Sequence, residues 1–406
     1  MGYSGEINFD GLIGPTHNYA GLSQGNLASQ KHLNQTSNPQ AAALQGLDKM
    51  RTIMEQGIPQ GFFLPHERPN LITLRGLGFA GTDEEVISRV AKQDPALLKN
   101  VYSASSMWAA NAATFSPSID SYDQTIHITP ANLNTMFHRS IEPEFTKMQL
   151  QLMFGSIANI HDPVSNISGY GDEGAANHLR VTAQHLKPGF QIFVYGNSAF
   201  ENNQGVIARQ AQEISQAVAA QHQLDPDLTL FLKQNNLAIE SGSFHNDIVS
   251  LANEEVFIFH QEAFADRVEL ERVLHHLKEH VKGFHPIEIL SADISLDNLV
   301  SSYLLNSQLI TLENNQMMML LPEEVQNHSN CMRWLDEIKS SSPIKLIEFV
   351  DIRQSMMNGG GPACRGFKTV VTGEEFSQVN QKFLLNPKKL MDLRSLVSKH
   401  YRDNLS

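Results

Sequence analysis

Apolar residues recur at helical spacing over 39–57, 84–114, 142–160, 199–223, 261–282, 323–340 and 374–401, with shorter runs of strand character between them. This pattern predicts a mixed α/β chain. Strands are expected at 191–195, 228–232, 247–251 with 256–260, 308–312 with 317–321, and 345–350. Two of these pairs read as hairpins, in the segments HNDIVSLANEEVFIFH and DNLVSSYLLNSQLITLENNQMMMLLP. Both run strand, polar turn, strand and then helix, with different residues at matching places, a hint of internal repetition. No linker rich in Pro, Gly or Ser divides the chain. One catalytic unit spanning 1–406 is therefore expected rather than separable domains.

Composition narrows the classes. The chain has 406 residues, 41% of them hydrophobic and 18% charged, which suffices for a packed interior and lacks the signature of disorder. Thirty basic against 43 acidic side chains give a formal charge of −13, and no basic stripe offsets it, so nucleic acid is not an expected partner. The start, MGYSGEINFD, has neither a charged n-region nor an apolar h-region, and Glu6 breaks the myristoylation pattern that Met-Gly suggests. The most apolar run, 317–321, falls far short of the roughly 20 residues that cross a bilayer. The two cysteines, Cys331 and Cys364, are too few for a disulfide framework. A soluble cytoplasmic protein without a membrane partner is expected.

The cysteines then separate. Cys331 lies at helical spacing with Leu335 and Ile338 and reads as a packing residue. Cys364 sits in MNGGGPACRGFKTVV, where Gly359, Gly360, Gly361 and Pro362 interrupt regular helix and allow a loop shaped around a ligand. Arg365 and exposed amides are expected to lower its thiol pKa and favour the nucleophilic thiolate. The alternative is a small buried hydrophobe in a tight turn. Thr372 and Glu375 form a capping box that should start the final helix. In GSFHNDIVSL, strand alternation would send His245 and Asp247 to one face, roughly 6.6 Å apart, where one moves a proton while the other holds a cation. Glu173, in the loop GYGDEGAANH, is a carboxylate able to grip a guanidinium by paired hydrogen bonds, although most loop acids are simply solvated.

Three motifs compete. Gly76, Gly78 and Gly81 fit a dinucleotide fingerprint after strand-like LITLR and before a helix capped by Thr82, yet no second strand ending in an acid follows at the required distance. Gly169, Gly171 and Gly174 fit it too, but Asp172 and Glu173 would repel a pyrophosphate. His276, Glu279 and His280 match an inverted zinc-protease pattern beside the apolar stripe Val273, Leu274, Leu277 and Val281; with no third ligand indicated, they read as a solvated helix flank.

The segments NFDGLIGPTHNYAGLSQGNLAS, SNPQAAALQGLDKM, PHERPNL, SASSMWAANAAT, ANLNTMFHRS, GDEGAANH, FVYG, ARQ, FHNDIVSLAN, GFHPIEI, SSYLLNSQL and MNGGGPAC together resemble the bacterial N-succinylarginine dihydrolases of the arginine succinyltransferase pathway, nearly end to end. The stretch between FVYG and ARQ is short by comparison, and the chain stops soon after KHYRDNLS. The resemblance implies a pentein fold, a closed five-fold α/β propeller of ββαβ-like units around a central site. It implies catalytic Glu173, His245 and Cys364. It also implies a substrate site drawn from Ala20, Gly21, Leu22, Ser23, Gln24, Gly25, Asn26, Leu27, Ala28 and Ser29, together with Asn111, His138, Arg139, Arg209, Asp247 and Asn358. Arg139 and Arg209 would suit the carboxylates of N2-succinyl-L-arginine, and Glu173 and Asp247 its guanidinium. No metal, no organic cofactor and a homodimer are the further implications. A deiminase of free or methylated arginine, stopping after one ammonia, is the nearest alternative; a dinucleotide-dependent oxidoreductase and a noncatalytic binding protein are more distant ones.

Overall fold

Strand runs separated by helices of ten or more residues favour parallel pairing, whereas runs joined by two or three polar residues favour hairpins. Both kinds of pairing occur here, the antiparallel connections running from two residues, 254–255, to nine, 117–125. The computed structural model describes residues 3–19, 21–23, 26–33, 35–165, 167, 169–200 and 208–405, and among these lie five three-stranded sheets. The strands are β1 (Gly5–Gly11), β2 (Gln60–Phe63), β3 (Ala113–Ser116), β4 (Ile126–Pro130), β5 (Ala158–Ile160), β6 (His178–Val181), β7 (Phe190–Tyr195), β8 (Thr229–Lys233), β9 (Ser250–Asn253), β10 (Val256–His260), β11 (His285–Ile289), β12 (Gln308–Thr311), β13 (Met317–Pro322), β14 (Ile344–Val350) and β15 (Gly366–Val371).

One plan serves every sheet. A middle strand pairs antiparallel with the first and parallel with the third, giving β3-β4-β5, β6-β7-β8, β9-β10-β11, β12-β13-β14 and β15-β1-β2. A helix crosses over from each middle strand to its third: Pro39–Glu55, Pro143–Phe154, Gln212–Gln221, Arg267–His280 and Ser329–Ser341. The middle strands are covered on both faces, which is why β10 and β13 read as unbroken apolar runs rather than alternating ones. In the fifth sheet the two ends of the chain meet, Gly5 opposite Val371 and Asp10 opposite Gly366, so the set closes on itself. A cavity of about 170 Å³ lies where the first strands converge, and Glu6, Phe115, Arg180, Leu251, Leu309 and Val370 bring all five sheets to its wall.

The helical run 84–114 is broken in the structure. Helix Asp83–Gln93 stops before Pro95, a second helix ends at Val101, and 113–116 is β3. The Ala-rich stretch between them carries an apolar period that short 3₁₀ turns also satisfy. Likewise 374–401 divides into Gly373–Gln378 and Pro387–His400; the Thr372–Glu375 capping box forms but starts only the first. LITLRG is a helix, so Gly76, Gly78 and Gly81 lack the strand that a dinucleotide turn requires. Cys331 is fully buried in the largest apolar cluster, as its spacing implies.

Candidate active site

Each unit enters its first strand through a tight segment, and these five segments gather the polar side chains. Asn111 comes two residues before β3, Glu173 five before β6, His245 five before β9, Asn306 two before β12 and Cys364 two before β15. The site is thus built from the first-strand entrances of the five units, at offsets of two or five residues. His245 and Asp247 do not share a strand face as the alternation suggested. Asn246–Ile248 is a 3₁₀ turn and β9 begins only at Ser250, because Asn246 is drawn inward, its N–H donating to Asn177 Oδ1 at 2.9 Å and its amide to Ser250 Oγ at 2.6 Å.

Around Glu173 the charges are dense. Its carboxylate is wholly buried, ion-paired to Arg139, 2.9 Å from the donating Thr135 hydroxyl and 3.0 Å from His245 Nε2. Its backbone is held at both ends: the N–H donates to Gln210 Oε1 at 2.8 Å and the carbonyl accepts from Asn111 Nδ2 at 2.8 Å. Burial alone would raise its pKa, but Arg139 and His245 outweigh it and keep the carboxyl well below the ordinary range. Burial pushes His245 down to about 4 against the opposing pull of Glu173, leaving a neutral imidazole whose Nδ1 has no hydrogen-bond partner among the described residues. Burial, then Arg139 and Arg209, lower His138 to about 3, and burial lowers Arg209 to about 10. Arg209 stacks over Phe244 at 4.4 Å and Arg139 over Trp108 at 5.8 Å, so aromatic faces as well as Glu173 shelter these cations.

Cys364 forms the second half. Its thiol donates to Asp247 Oδ2 at 3.4 Å, and the Asn306 amide donates to Sγ at 3.2 Å and to the Asp247 carbonyl at 3.4 Å. Burial, reinforced by the Asp247 charge, drives the thiol pKa well upward, contrary to the expectation from its neighbour Arg365. Arg365 turns the other way, donating to the Gly11 carbonyl at 2.9 Å and lying 3.8 Å from Asp10. It serves the core behind the loop. Burial also lifts Asp247 to about 7, with hydrogen bonds from Cys364 and Asn306 opposing.

The segment around Asn26 closes on the cysteine loop. Asn26 caps the helix Leu27–Lys31, accepting from Ser29 N–H at 3.0 Å, and donates to the Gly359 carbonyl at 2.8 Å. Gly359 has φ +95°, and a Cβ there would lie 2.0 Å from Asn26 Nδ2; at Gly360 it would lie 2.4 Å from Trp108 Nε1. Only glycine fits this contact. Asn358, next to it, is buried, as are Ser23 and Ser29, while Gly21 and Leu22 are partly exposed. Ala20, Gln24 and Gly25 lie outside the described residues, and Leu27 and Ala28 are placed only as backbone of their helix. Asn306, Thr135 and Gln210 were not singled out from sequence. For Asn306 a signal existed, since NSQL stands before a strand as ACRG does.

Comparison with known proteins extends this picture. A family model described as succinylarginine dihydrolase matches residues 3–406. The chain is 44% identical over 406 residues to the N-succinylarginine dihydrolase of Erwinia tasmaniensis, covering 99% of this chain and 91% of that one. It is 44% identical over 410 residues to the enzyme of the same name from Shewanella sediminis, covering 99% and 92%. Among solved structures, the substrate-bound N-terminal domain of ArgZ, an arginine dihydrolase from the ornithine-ammonia cycle in Cyanobacteria, superposes with a TM-score of 0.55 at 11% identity over 90% of this chain and 98% of that domain. The shared fold is the pentein fold of arginine-modifying enzymes.

Proposed function

The chain belongs to the succinylarginine dihydrolase family, and from that premise we propose how its site hydrolyses N2-succinyl-L-arginine to N2-succinyl-L-ornithine, two ammonia and carbon dioxide. One observation carries the assignment of roles: Cys364 lies 3.4 Å from the Asp247 carboxylate, and the buried Glu173–His245 pair stands at the entrances to β6 and β9. The substrate guanidinium is held by Asp247 and Glu173. Arg209 takes the carboxylates together with Arg139, whose Nε and Nη2 have no hydrogen-bond partner among the described residues. The family resemblance adds residues 20–29, Asn111, His138 and Asn358 to the proposed substrate-binding set.

A cation arriving between two carboxylates reverses the local field that holds Cys364 protonated. The thiolate then attacks the guanidinium carbon, and the proton reaches His245. Collapse of the tetrahedral adduct breaks a C–N bond and expels ammonia, protonated by His245; water, deprotonated by His245, adds to the same carbon, and cleavage of the C–S bond frees a ureido product and the thiolate. A second round on the ureido carbon expels the second ammonia. Water then releases a carbamate, which loses carbon dioxide. None of these steps calls on a metal or an organic cofactor. We further propose that residues 1–406 act as one catalytic unit, cytoplasmic and homodimeric.

Incubation with succinylarginine should give two ammonia per succinylornithine, and Cys364→Ala should give none. A product stopping at the ureido stage would point instead to a deiminase. Ammonia release surviving in Cys364→Ala would refute the covalent route.

A further inference from the structure

The helix Arg267–His280 buries Leu270, Val273 and Leu277, while His276 is half-buried and Glu279 and His280 are exposed at its C-terminal end. There His276, Glu279 and His280 each offer one ligand atom, all within 4.8 Å of one another, the one such group of three among the described residues. Glu279 supplies the third ligand that spacing alone did not indicate. Residues three and four apart share a helical face, so the backbone already holds the set together.

Two further observations show these side chains oriented for a ligand. His280 Nδ1 lies 2.8 Å from the His276 carbonyl, an acceptor only, so Nδ1 carries the proton and Nε2 keeps its lone pair outward. Both imidazoles also pack edgewise on Phe190, at 5.2 and 6.1 Å, with their own centroids 4.4 Å apart. Phe190 begins β7, in the neighbouring unit, so the cluster straddles the seam between the second and third sheets. His275 Nε2 lies 3.2 Å from Glu279 Oε1 and competes for one carboxylate oxygen, leaving Oε2.

From this geometry we propose that His276, Glu279 and His280 form a peripheral binding site for a divalent transition-metal ion of the zinc class, remote from the catalytic residues. Two imidazoles and a carboxylate select such ions over calcium or magnesium, which prefer oxygen alone. A point centred among three atoms so spaced lies within about 2.8 Å of each, so small side-chain rotations reach the roughly 2.0–2.2 Å bonds zinc takes. The remaining coordination positions go to water. All three donors lie on one crossover helix, and the rings they carry pack on Phe190 of the adjacent unit, so the ion's expected effect is on that seam rather than on turnover.

The test is titration of the full chain, stripped of metal, with zinc chloride by calorimetry and with cobalt chloride by visible absorption. One equivalent should bind, with d–d bands and no thiolate charge-transfer band, and the melting temperature should rise with zinc concentration. His276→Ala/His280→Ala should lose that equivalent and the thermal shift while releasing ammonia at the parent rate, which also shows that it folds; Glu279→Gln should weaken binding at least tenfold. The proposal is overturned if the double variant binds zinc as the parent does, if no equivalent binds, or if bound cobalt shows the thiolate band that places it on Cys364.

Discussion

Asn306 and Asp247 act on the Cys364 sulfur in opposite senses, one amide favouring thiolate and one carboxylate favouring thiol. Removing the amide should therefore cost catalysis more than stability. A hydrogen bond to a charged acceptor is worth about 1.5–3 kcal/mol, so Asn306→Ala should lower kcat/KM roughly tenfold to a hundredfold and slow iodoacetamide labelling of Cys364 at fixed pH. Unchanged labelling would show that the amide merely fills space. Asp247, raised to about 7, is neutral in the free enzyme below that pH and cannot grip a cation, so kcat/KM should fall by about tenfold per unit as pH drops beneath it. The same shift has a stability sign. A carboxyl harder to ionise folded than unfolded loses stability as pH rises from about 4 through 7, so Asp247→Asn should melt higher than the parent at pH 8 while being inactive. At this scale sequence was informative about Cys364, whose glycine loop is local. It misjudged the ionisation, because Arg365 is a neighbour in chain but not in space.

The segments that carry these residues depend on exact contacts between distant elements. Gly359→Ala would place a methyl on Asn26 in a left-handed backbone, and should both reduce turnover strongly and lower the unfolding midpoint in urea. Behind the cysteine loop, Lys49 from the first crossover helix meets Asp10 of β1 at 2.7 Å, both fully buried. Lys49→Met removes the hydrogen-bonded cation from the buried Asp10 carboxylate, leaving only Arg365 at 3.8 Å, and should cost about 3–5 kcal/mol in denaturant unfolding; a loss under 1 kcal/mol would mean that Arg365, Asn8 and Gln60 together satisfy Asp10. Strands such as β10 and β13 and helices such as Pro39–Glu55 were legible to within two or three residues, since their apolar periods are long and locally uniform. The entrance turns were not. Asn246–Ile248 alternates like a strand but is bent by hydrogen bonds to Asn177 and Ser250, partners that no local pattern reveals.

Five units sharing one plan make the whole molecule legible only by comparison of parts that differ in every residue. Two of the five layouts stood out in the sequence; the unit formed by β15, β1 and β2 could not, being split across the chain. Because each sheet lends a segment to one centre, loss of activity and loss of near-ultraviolet ellipticity should follow the same denaturant curve. Activity disappearing well before ellipticity would show units that open independently. The pairing of Gly5–Gly11 with Gly366–Val371 also sets a schedule for biosynthesis. At about 5–20 residues per second, β1 leaves the ribosome on the order of 20–70 s before its partner exists. For that interval a buried-type strand has an open edge in the nascent chain, and the nucleophile, emerging last, arrives only as the ring becomes able to shut.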